Sequence, residues 1–210
     1  MAILASQIIA SLRLTLLDPS PGVTFTDAMF LAWLGEVERR ACELRPELLI
    51  VRAAIPMVAG TLQAVPAGGT AIMRLDQNVT SKRRCRLTDA ESLDMANLFW
   101  PTTTASADVR EWCHDDRDRT RFHVWPPNNA AGSVVALYGI TPAPFTLVTQ
   151  AIHIDDVHDV ALKDGVLAEA YGANTKRGDM AKMSAYRAAF EHALGINAAA
   201  VVAVGPKVAA

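Results

Sequence analysis

Apolar side chains recur every three to four residues at both ends of the chain, a spacing that predicts amphipathic helices. In the N-terminal stretch they lie four residues apart, at Ile8, Leu12 and Leu16. The next stretch predicts a helix that begins at Thr26, whose hydroxyl can accept hydrogen bonds from the first free amides. This helix ends at Arg45, because Pro46 disfavours helical geometry in the residue before it. Its apolar stripe consists of Phe30, Leu34, Val37, Ala41 and Leu44.

A helical pattern returns near the C-terminus and predicts helices over about residues 155–173 and 179–194. Gly195 follows the second of these helices and suits a C-terminal cap. The connecting segment NTKRGD is short enough to make the two helices antiparallel neighbours.

Between the helical ends, over residues 48–145, short β-rich runs alternate with turn residues. A capping-box pattern from Thr88 to Glu91 predicts a short helix that runs toward Phe99. Pro126–Pro127 and a polar turn separate the last two runs and predict a stiff hairpin, because proline fixes the backbone angle φ. The predicted strand runs are LLIVRAAI, GTLQAVPAGG, IMRLDQNVT, RRCRL, DVREWCHD, RFHVW and SVVALYGI.

Helices at both ends with strands between them predict an α+β protein. We expect a bundle of N- and C-terminal helices, residues 1–47 and 150–195, packed beside a β-rich lobe of residues 48–149 that is a sandwich or barrel-like. Residues 196–210 are rich in alanine and valine and cannot form a core alone. They are either a frayed tail or an arm that becomes ordered on a partner.

Composition places the chain among folded globular proteins. Of its 210 residues, 51% are hydrophobic and 20% are charged, so a sizeable core can form. No apolar run approaches the roughly 20 residues that cross a bilayer. The three cysteines lie far apart with no CxxC pair, which predicts reduced thiols in a cytosol. A net charge of -2 implies no general attraction to nucleic acid.

The strongest enzymatic candidate is the segment HIDDVHD, because imidazole and carboxylate groups are common metal ligands. On a helix His158 would lie about one turn from Asp155, but a catalytic metal site usually needs three protein ligands. Acidic residues are also expected at a helix N-terminus, where the dipole favours negative charge, and we prefer that interpretation. The segment contains His153, Asp155, Asp156, His158 and Asp159.

Two further charged segments are interpreted as solvated. Cys113 and His114, which open CHDDRDR, cannot form a nucleophile pair, since adjacent strand residues point to opposite faces. The run SKRRCR could contact phosphate, but like charges also keep an exposed edge strand from pairing with other chains. No phosphate-loop, zinc-protease or hydrolase-elbow motif occurs in the sequence. We therefore expect no catalytic residue, cofactor or metal, and a structural or binding role.

Five segments occur in an order and spacing that a known family shares. They are Leu16, Leu17, Asp18 and Phe25 with FLAWLGEVERRACELRPEL; VAGTLQAVPAGGTAIMRLDQN; RRCRLTDAESLDMANLFW; the proline hairpin; and IHIDDVHDVALKDGVLAEAY with AYRAAFEHALG. Over about residues 5–195 the chain resembles the head-to-tail adaptor (connector) proteins of short-tailed bacteriophages. It departs from their pattern at Gly35, and Gly165 and Gly172 are expected to weaken the penultimate helix. The scaffold positions of the shared motifs are Trp33, Leu34, Arg45, Pro46, Trp125, Pro126, Pro127, Tyr138, Tyr171 and Phe190.

The resemblance implies a structural virion protein at the head-tail junction, made in the host cytoplasm and without contact to a membrane. It implies a twelvefold homo-oligomeric ring that joins the portal protein to the tail tube or nozzle protein. DNA would pass through the lumen without specific binding. From its apolar character, we expect the C-terminal arm to order against the portal through Ile196, Val201, Val202, Val204 and Lys207.

Two other interpretations stay open at this point. One is a different tail component, such as a nozzle or fibre-attachment subunit, because ring-forming virion proteins share the same general physics. The other is a metal-dependent hydrolase that uses His153, Asp155 and His158. The two classes differ in whether the purified protein carries a stoichiometric metal.

Overall fold

The computed structural model describes residues 3–20, 22, 24–115, 117–173 and 178–196. Its α-helices are α1 (Ala5–Thr15), α2 (Asp27–Leu44), α3 (Ala90–Ala96), α4 (Asp159–Gly172) and α5 (Met180–Ala193). Its strands are β1 (Ile50–Pro56), β2 (Gly60–Ala64), β3 (Gly69–Asn78), β4 (Arg86–Leu87), β5 (Glu111–His114), β6 (Arg121–Asn128) and β7 (Ser133–Ile140). Short 3-10 helices cover Pro46–Leu48, Trp100–Thr102 and Asp156–His158.

The chain divides into two compact units. Residues 1–41 and 142–210 form one, called the helical unit here, and residues 42–141 form the other, called the β unit. Helices at both ends and strands between them confirm the predicted α+β class. Within the described ranges, no helix combines the length and the apolar character needed to span a bilayer.

The apolar stripe predicted for α2 is confirmed. Four of its five members are buried, whereas Leu44 at the end of the helix is 38% exposed. The Thr26 hydroxyl accepts a hydrogen bond of 3.3 Å from the backbone N–H of Met29, as expected for a cap. On α1 the predicted positions Ile8, Leu12 and Leu16 are also buried. These faces form much of the core of the helical unit.

Helices α4 and α5 run antiparallel, as predicted. The rings of Tyr171 and Tyr186 stack with centroids 5.6 Å apart. A Cβ atom on Gly165 would lie 2.5 Å from Cγ1 of Val37 and 3.2 Å from Cδ2 of Phe190. Gly165 was expected to weaken α4. In the structure its main effect is to let α4 approach α2 and α5 closely.

The β unit is a sandwich of two open sheets rather than a closed barrel. One sheet has the order β1-β7-β3 and the other β2-β6-β5-β4, with β4 and β5 parallel and the other pairs antiparallel. Inward-facing residues from both sheets form one core. Its buried members are Ile55, Met57, Ile72, Leu75, Val109, Trp112, Phe122, Val124, Val134, Ala136 and Tyr138.

Local details of the β unit correct three predictions. The short helix α3 is capped by Asp89, which accepts a hydrogen bond of 2.7 Å from Ser92 N–H, and not by the capping box that begins at Thr88. The run RRCRL contributes only the strand β4. Strand β6 continues through Pro126–Pro127 to Asn128, because its ladder with β5 ends at Trp125 and the missing proline amides therefore leave that ladder intact.

Candidate interaction sites

His153, the first residue of the HIDDVHD segment, is held by a buried carboxylate. Glu38 on α2 is fully buried, and its Oε2 lies 2.6 Å from Nδ1 of His153. The Glu38 Oε1 accepts a hydrogen bond of 3.0 Å from the backbone N–H of His153. The imidazole ring also packs against Phe145, with centroids 4.9 Å apart. Both carboxylate oxygens thus fix the chain that leads into α4.

The other members of this segment have separate structural roles. Asp155 accepts a hydrogen bond of 3.0 Å from Val157 N–H, and this bond is the main cause that lowers the pKa of Asp155. Asp159 pairs with Lys163 at 2.6 Å. Among the residues that the structure describes, no three His, Cys, Asp or Glu side chains converge where a metal ion could bind. The geometry therefore favours the helix-terminus interpretation of these acids.

The CHDDRDR segment separates its thiol from its imidazole, as expected for neighbours on a strand. Cys113 is buried with Leu93 and Trp100, while His114 lies edge-on to Trp112, with ring centroids 4.8 Å apart. Asp118 accepts hydrogen bonds from the amide and hydroxyl of Thr120 at 2.8 and 2.6 Å. The described residues after His114 lie in a hydrogen-bonded turn between β5 and β6.

The basic run forms an exposed turn between β3 and β4. Lys82 adopts a left-handed backbone with φ of 59°, and the side chains of residues 82–84 are exposed. The buried amide of Asn78 anchors this turn, with Nδ2 donating to the carbonyls of Arg83 and Val109 at 3.0 and 2.8 Å. Burial raises the pKa of Cys85, inside the run, to about 11, with Asp108 and Asp76 adding to the effect. Its thiol is therefore protonated at neutral pH.

A buried charge cluster at the end of α1 was missed by the sequence analysis. The Arg13 guanidinium, 5% exposed, lies 2.6 Å from Oδ1 of Asp27 and 3.7 Å from Oδ2 of Asp18. Asp18 is fully buried and accepts the backbone N–H groups of Thr24 and Phe25. The cluster joins the end of α1 to Thr24, Phe25 and the start of α2. In the sequence, the cluster was indicated only by the Leu16-Leu17-Asp18 motif that the chain shares with the adaptor proteins, and this motif is not part of a periodic pattern.

The scaffold positions in the helical unit pack together around α2 and α5. Trp33 meets the rings of Phe25 and Phe30 edge-on, with centroids 5.4 and 5.8 Å apart. Leu34 and Phe190 are 1% and 2% exposed, and Tyr171 stacks across the α4–α5 pair. These contacts give the positions a packing role.

The scaffold positions in the β unit lie along its strands and at their entry. Arg45 pairs with Glu47, and Pro46 begins the 3-10 helix that precedes β1. Tyr138 on β7 is 8% exposed. Trp125 lies on β6, and the Arg110 guanidinium lies over its ring, 5.7 Å from the centroid. A cis peptide bond joins Trp125 to Pro126. The second proline, Pro127, accepts a hydrogen bond of 2.9 Å from Ser106 N–H.

The five most exposed large apolar side chains of the described residues lie in two places. Leu14 and Leu17, at the end of α1, are 78% and 80% exposed. Met95, Leu98 and Phe99, after α3, are 77%, 78% and 74% exposed. Contiguous exposed apolar surface is common where proteins bind partners. These two places are therefore candidate interaction surfaces.

The predicted portal-binding arm lies almost entirely outside the described residues. Ile196 is described, and its backbone N–H donates a hydrogen bond of 2.9 Å to the carbonyl of Glu191. The other members of the prediction, Val201, Val202, Val204 and Lys207, lie outside the described residues. The arm stays a prediction.

Comparison with known families gives one match that spans the chain. The family model described as SU10 adaptor protein matches residues 3–207. No curated protein matches the sequence significantly. The match includes the helices at both ends and both sheets of the sandwich.

Proposed function

The chain belongs to the SU10 adaptor protein family, and from this membership we propose that it forms the ring that joins a phage portal to the tail tube or nozzle. A phage adaptor is a structural component of the virion that associates with portal and tail components. The extent of the match carries the proposal, because the matched residues 3–207 cover almost all of both units.

The proposal assigns different tasks to different parts of the chain. Residues 1–47 and 150–195 act as the helical bundle, residues 48–149 as the β domain, and residues 196–210 as the arm. Subunits of a closed ring meet head-to-tail, so each needs two different side surfaces. The five most exposed large apolar side chains of the described residues lie in two separate places, which supports this assignment.

We infer that twelve copies enclose a lumen through which DNA passes without specific binding. A net charge of -2 supports this view, because each phosphate that a protein neutralises strengthens binding to DNA and would slow passage.

The arm is proposed to bind the portal through Ile196, Val201, Val202, Val204 and Lys207. Small apolar and β-branched residues suit the addition of a strand to an exposed sheet edge. The hydrogen bond between Ile196 N–H and Glu191 gives the arm a fixed point of departure from α5.

Co-sedimentation tests the partner. The purified chain is mixed with the portal protein encoded by the same genome and, separately, with the tail tube or nozzle protein. Binding to the portal is the expected result. Binding to a distal tail protein alone would make the chain a nozzle or fibre-attachment subunit, and binding to neither would refute the proposal.

Truncation after Gly195 tests the arm. The shortened chain should keep the circular dichroism spectrum and melting temperature of the full chain but lose portal binding. A chain with Val201, Val202 and Val204 replaced by serine keeps the length and serves as the matched variant, with the same loss expected. Unchanged portal binding by the truncated chain would contradict the role of the arm.

A further inference from the structure

The basic run SKRRCR contains three cations for which the proposed function gives no role. Lys82, Arg83 and Arg84 lie between β3 and β4, outside both strands. Protection of an exposed sheet edge therefore explains Arg86, on the edge strand β4, but not these three cations. Residues 80–84 are all exposed, and we call them the basic turn.

The three cations of the basic turn have no ion pair with a carboxylate of the described residues. Other arginines of the β unit do have such partners. Arg52 and Arg74 share Asp76, at 2.9 and 3.0 Å, and Arg121 lies 3.2 Å from Asp118. The turn thus concentrates three positive charges on a chain whose net charge is -2.

Hydrogen bonds to a buried residue hold the backbone of the basic turn. Asn78, 1% exposed, donates to the carbonyl of Arg83 from its backbone N–H at 2.8 Å and from Nδ2 at 3.0 Å. The Asn78 carbonyl accepts the N–H of Lys82 at 3.1 Å, and Arg84 forms a β-bridge with Gln77. A ligand of the turn therefore binds without having to order this backbone.

We propose that the basic turn binds the phosphate backbone of double-stranded DNA. Lysine and arginine, together with hydroxyl groups such as those of Thr80 and Ser81, are the usual protein partners of DNA phosphates. Single-stranded nucleic acid is a poorer match, because it is held by stacking on aromatic rings and the turn has none. An acidic protein is also a poorer match, because the centre of a protein interface is depleted of charge.

The expected binding is weak and depends strongly on salt. Three neutralised phosphates give a slope of about -2.7 in the logarithm of the binding constant against that of the salt concentration. The affinity should therefore fall roughly 40-fold between about 50 and 200 mM salt. Phosphate contacts carry no sequence information and let a protein slide along DNA, so the contact is compatible with passage without specific binding.

Fluorescence anisotropy of a labelled duplex of mixed sequence, titrated with the full chain at several salt concentrations, tests the inference. The variant Lys82→Asn/Arg83→Gln/Arg84→Gln removes the three charges, and asparagine tolerates the left-handed backbone at position 82. Its slope should be shallower by about 2.7, and its affinity at about 50 mM salt should fall at least about tenfold. An unchanged slope would overturn the inference. Arg83→Lys/Arg84→Lys keeps the charges and should keep the slope.

A matched control removes three cations of the helical unit that are paired with glutamates. The substitutions are Arg39→Gln, Arg40→Gln and Arg187→Gln. Because this variant changes the net charge by the same amount, it separates the basic turn from the overall charge of the chain. Its slope should equal that of the wild type. A loss equal to that of the basic-turn variant would assign binding to net charge and overturn the inference.

Polyglutamate distinguishes DNA from an acidic protein partner. A chain that binds polyglutamate but not the duplex would overturn the inference in favour of an acidic protein, and a wild-type chain that binds neither would overturn it as well. Circular dichroism confirms that each variant is folded. The assay contains no portal, so a portal that stays bare would refute the proposed function and leave this test unaffected.

Discussion

The two units of the molecule bury different kinds of polar side chain. The buried polar residues of the helical unit are charged: Arg13, Asp18 and Glu38. Those of the β unit are neutral amides: Gln63, Asn78 and Asn128. Among the described residues, buried charged side chains have side-chain partners in the helical unit, and buried amide side chains are hydrogen-bonded in the β unit.

Each kind of buried polar group connects separate segments of its own unit. In the helical unit, segments from opposite ends of the chain must find each other, and the Glu38–His153 contact joins residues 115 positions apart. In the β unit, ladder hydrogen bonds already set the register, and an amide such as that of Gln63 closes a local turn by bonding to the backbone of Val58 and Gly60. Both kinds of group act at short and at long range, because Arg13 also bonds to Asp18, five positions away, and the Asn78 amide bonds to Val109, 31 positions away.

The largest expected effect comes from His153→Phe. It leaves the fully buried Glu38 carboxylate without its side-chain partner, at a cost of about 3–5 kcal/mol in the free energy of unfolding. Urea denaturation measures the change. Adding Glu38→Gln to the same chain removes the unpaired charge and should recover most of the loss. A loss below about 1 kcal/mol in the single variant would show that the Glu38–His153 contact does not hold the unit together.

Asn78→Ala should have a smaller effect on the β unit, about 2 kcal/mol. The substitution leaves the N–H of Val109 and the carbonyl of Arg83 without their amide partner, and buried polar groups without partners are costly. Asn129→Ala is the matched control, because the exposed Asn129 side chain accepts a hydrogen bond from Ala131 N–H, and a change within about 0.5 kcal/mol is expected. Equal effects of the two substitutions would contradict the anchoring role of Asn78.

Gly165→Ala tests the close approach of α4 to its neighbours. The new Cβ would overlap Val37, so a loss of about 1–2 kcal/mol is expected despite the better helix propensity of alanine. Gly172→Ala meets only the flexible Met183 side chain, at 3.3 Å, and should be neutral or slightly stabilising. Combining Gly165→Ala with Val37→Ala should recover part of the loss, and no recovery would place the strain elsewhere.

The smallest expected effect is the loss of two helix-capping interactions at low pH. One cap, Asp89, lies in the β unit, and the other, Asp155, lies in the helical unit. Hydrogen bonds from the Ser92 hydroxyl and amide lower the pKa of Asp89 from its ordinary 3.8, and the Val157 amide does the same for Asp155. Because these pKa values are lower in the folded state, the caps stabilise above about pH 4 and lose this contribution as the pH falls below 3.8. Carboxyl titrations by nuclear magnetic resonance should give both midpoints below 3.8. A midpoint at or above that value would contradict the capping geometry.

Most of the fold could be predicted from the sequence because its elements are strongly periodic. The stripe on α2 and the strand runs of β1 and β7 needed only local patterns. The choice between sandwich and barrel depends on long-range pairing, such as β1 with β7, which local patterns do not encode. Thr88 was taken for the cap of α3 because the motif fits there, but the hydrogen bond to Ser92 comes from Asp89.

The buried charges could not be predicted because their partners are distant or lie outside any periodic pattern. Glu38 stands in a charged stretch of α2 and looks exposed until His153 is placed against it. Gly165 looked unfavourable for a helix, and its use became visible only when Val37 was placed against it. Whether a polar side chain is buried depends on which distant segments pack against it, and a local sequence pattern does not show this.

The copy number of the chain on its portal tests the adaptor proposal most directly. The chain and the portal protein from the same genome are mixed, and the complex is measured by light scattering and electron microscopy. The account predicts one added ring with one copy of the chain per portal subunit. A portal that stays bare, or a complex with scattered copies and no ring, would contradict it.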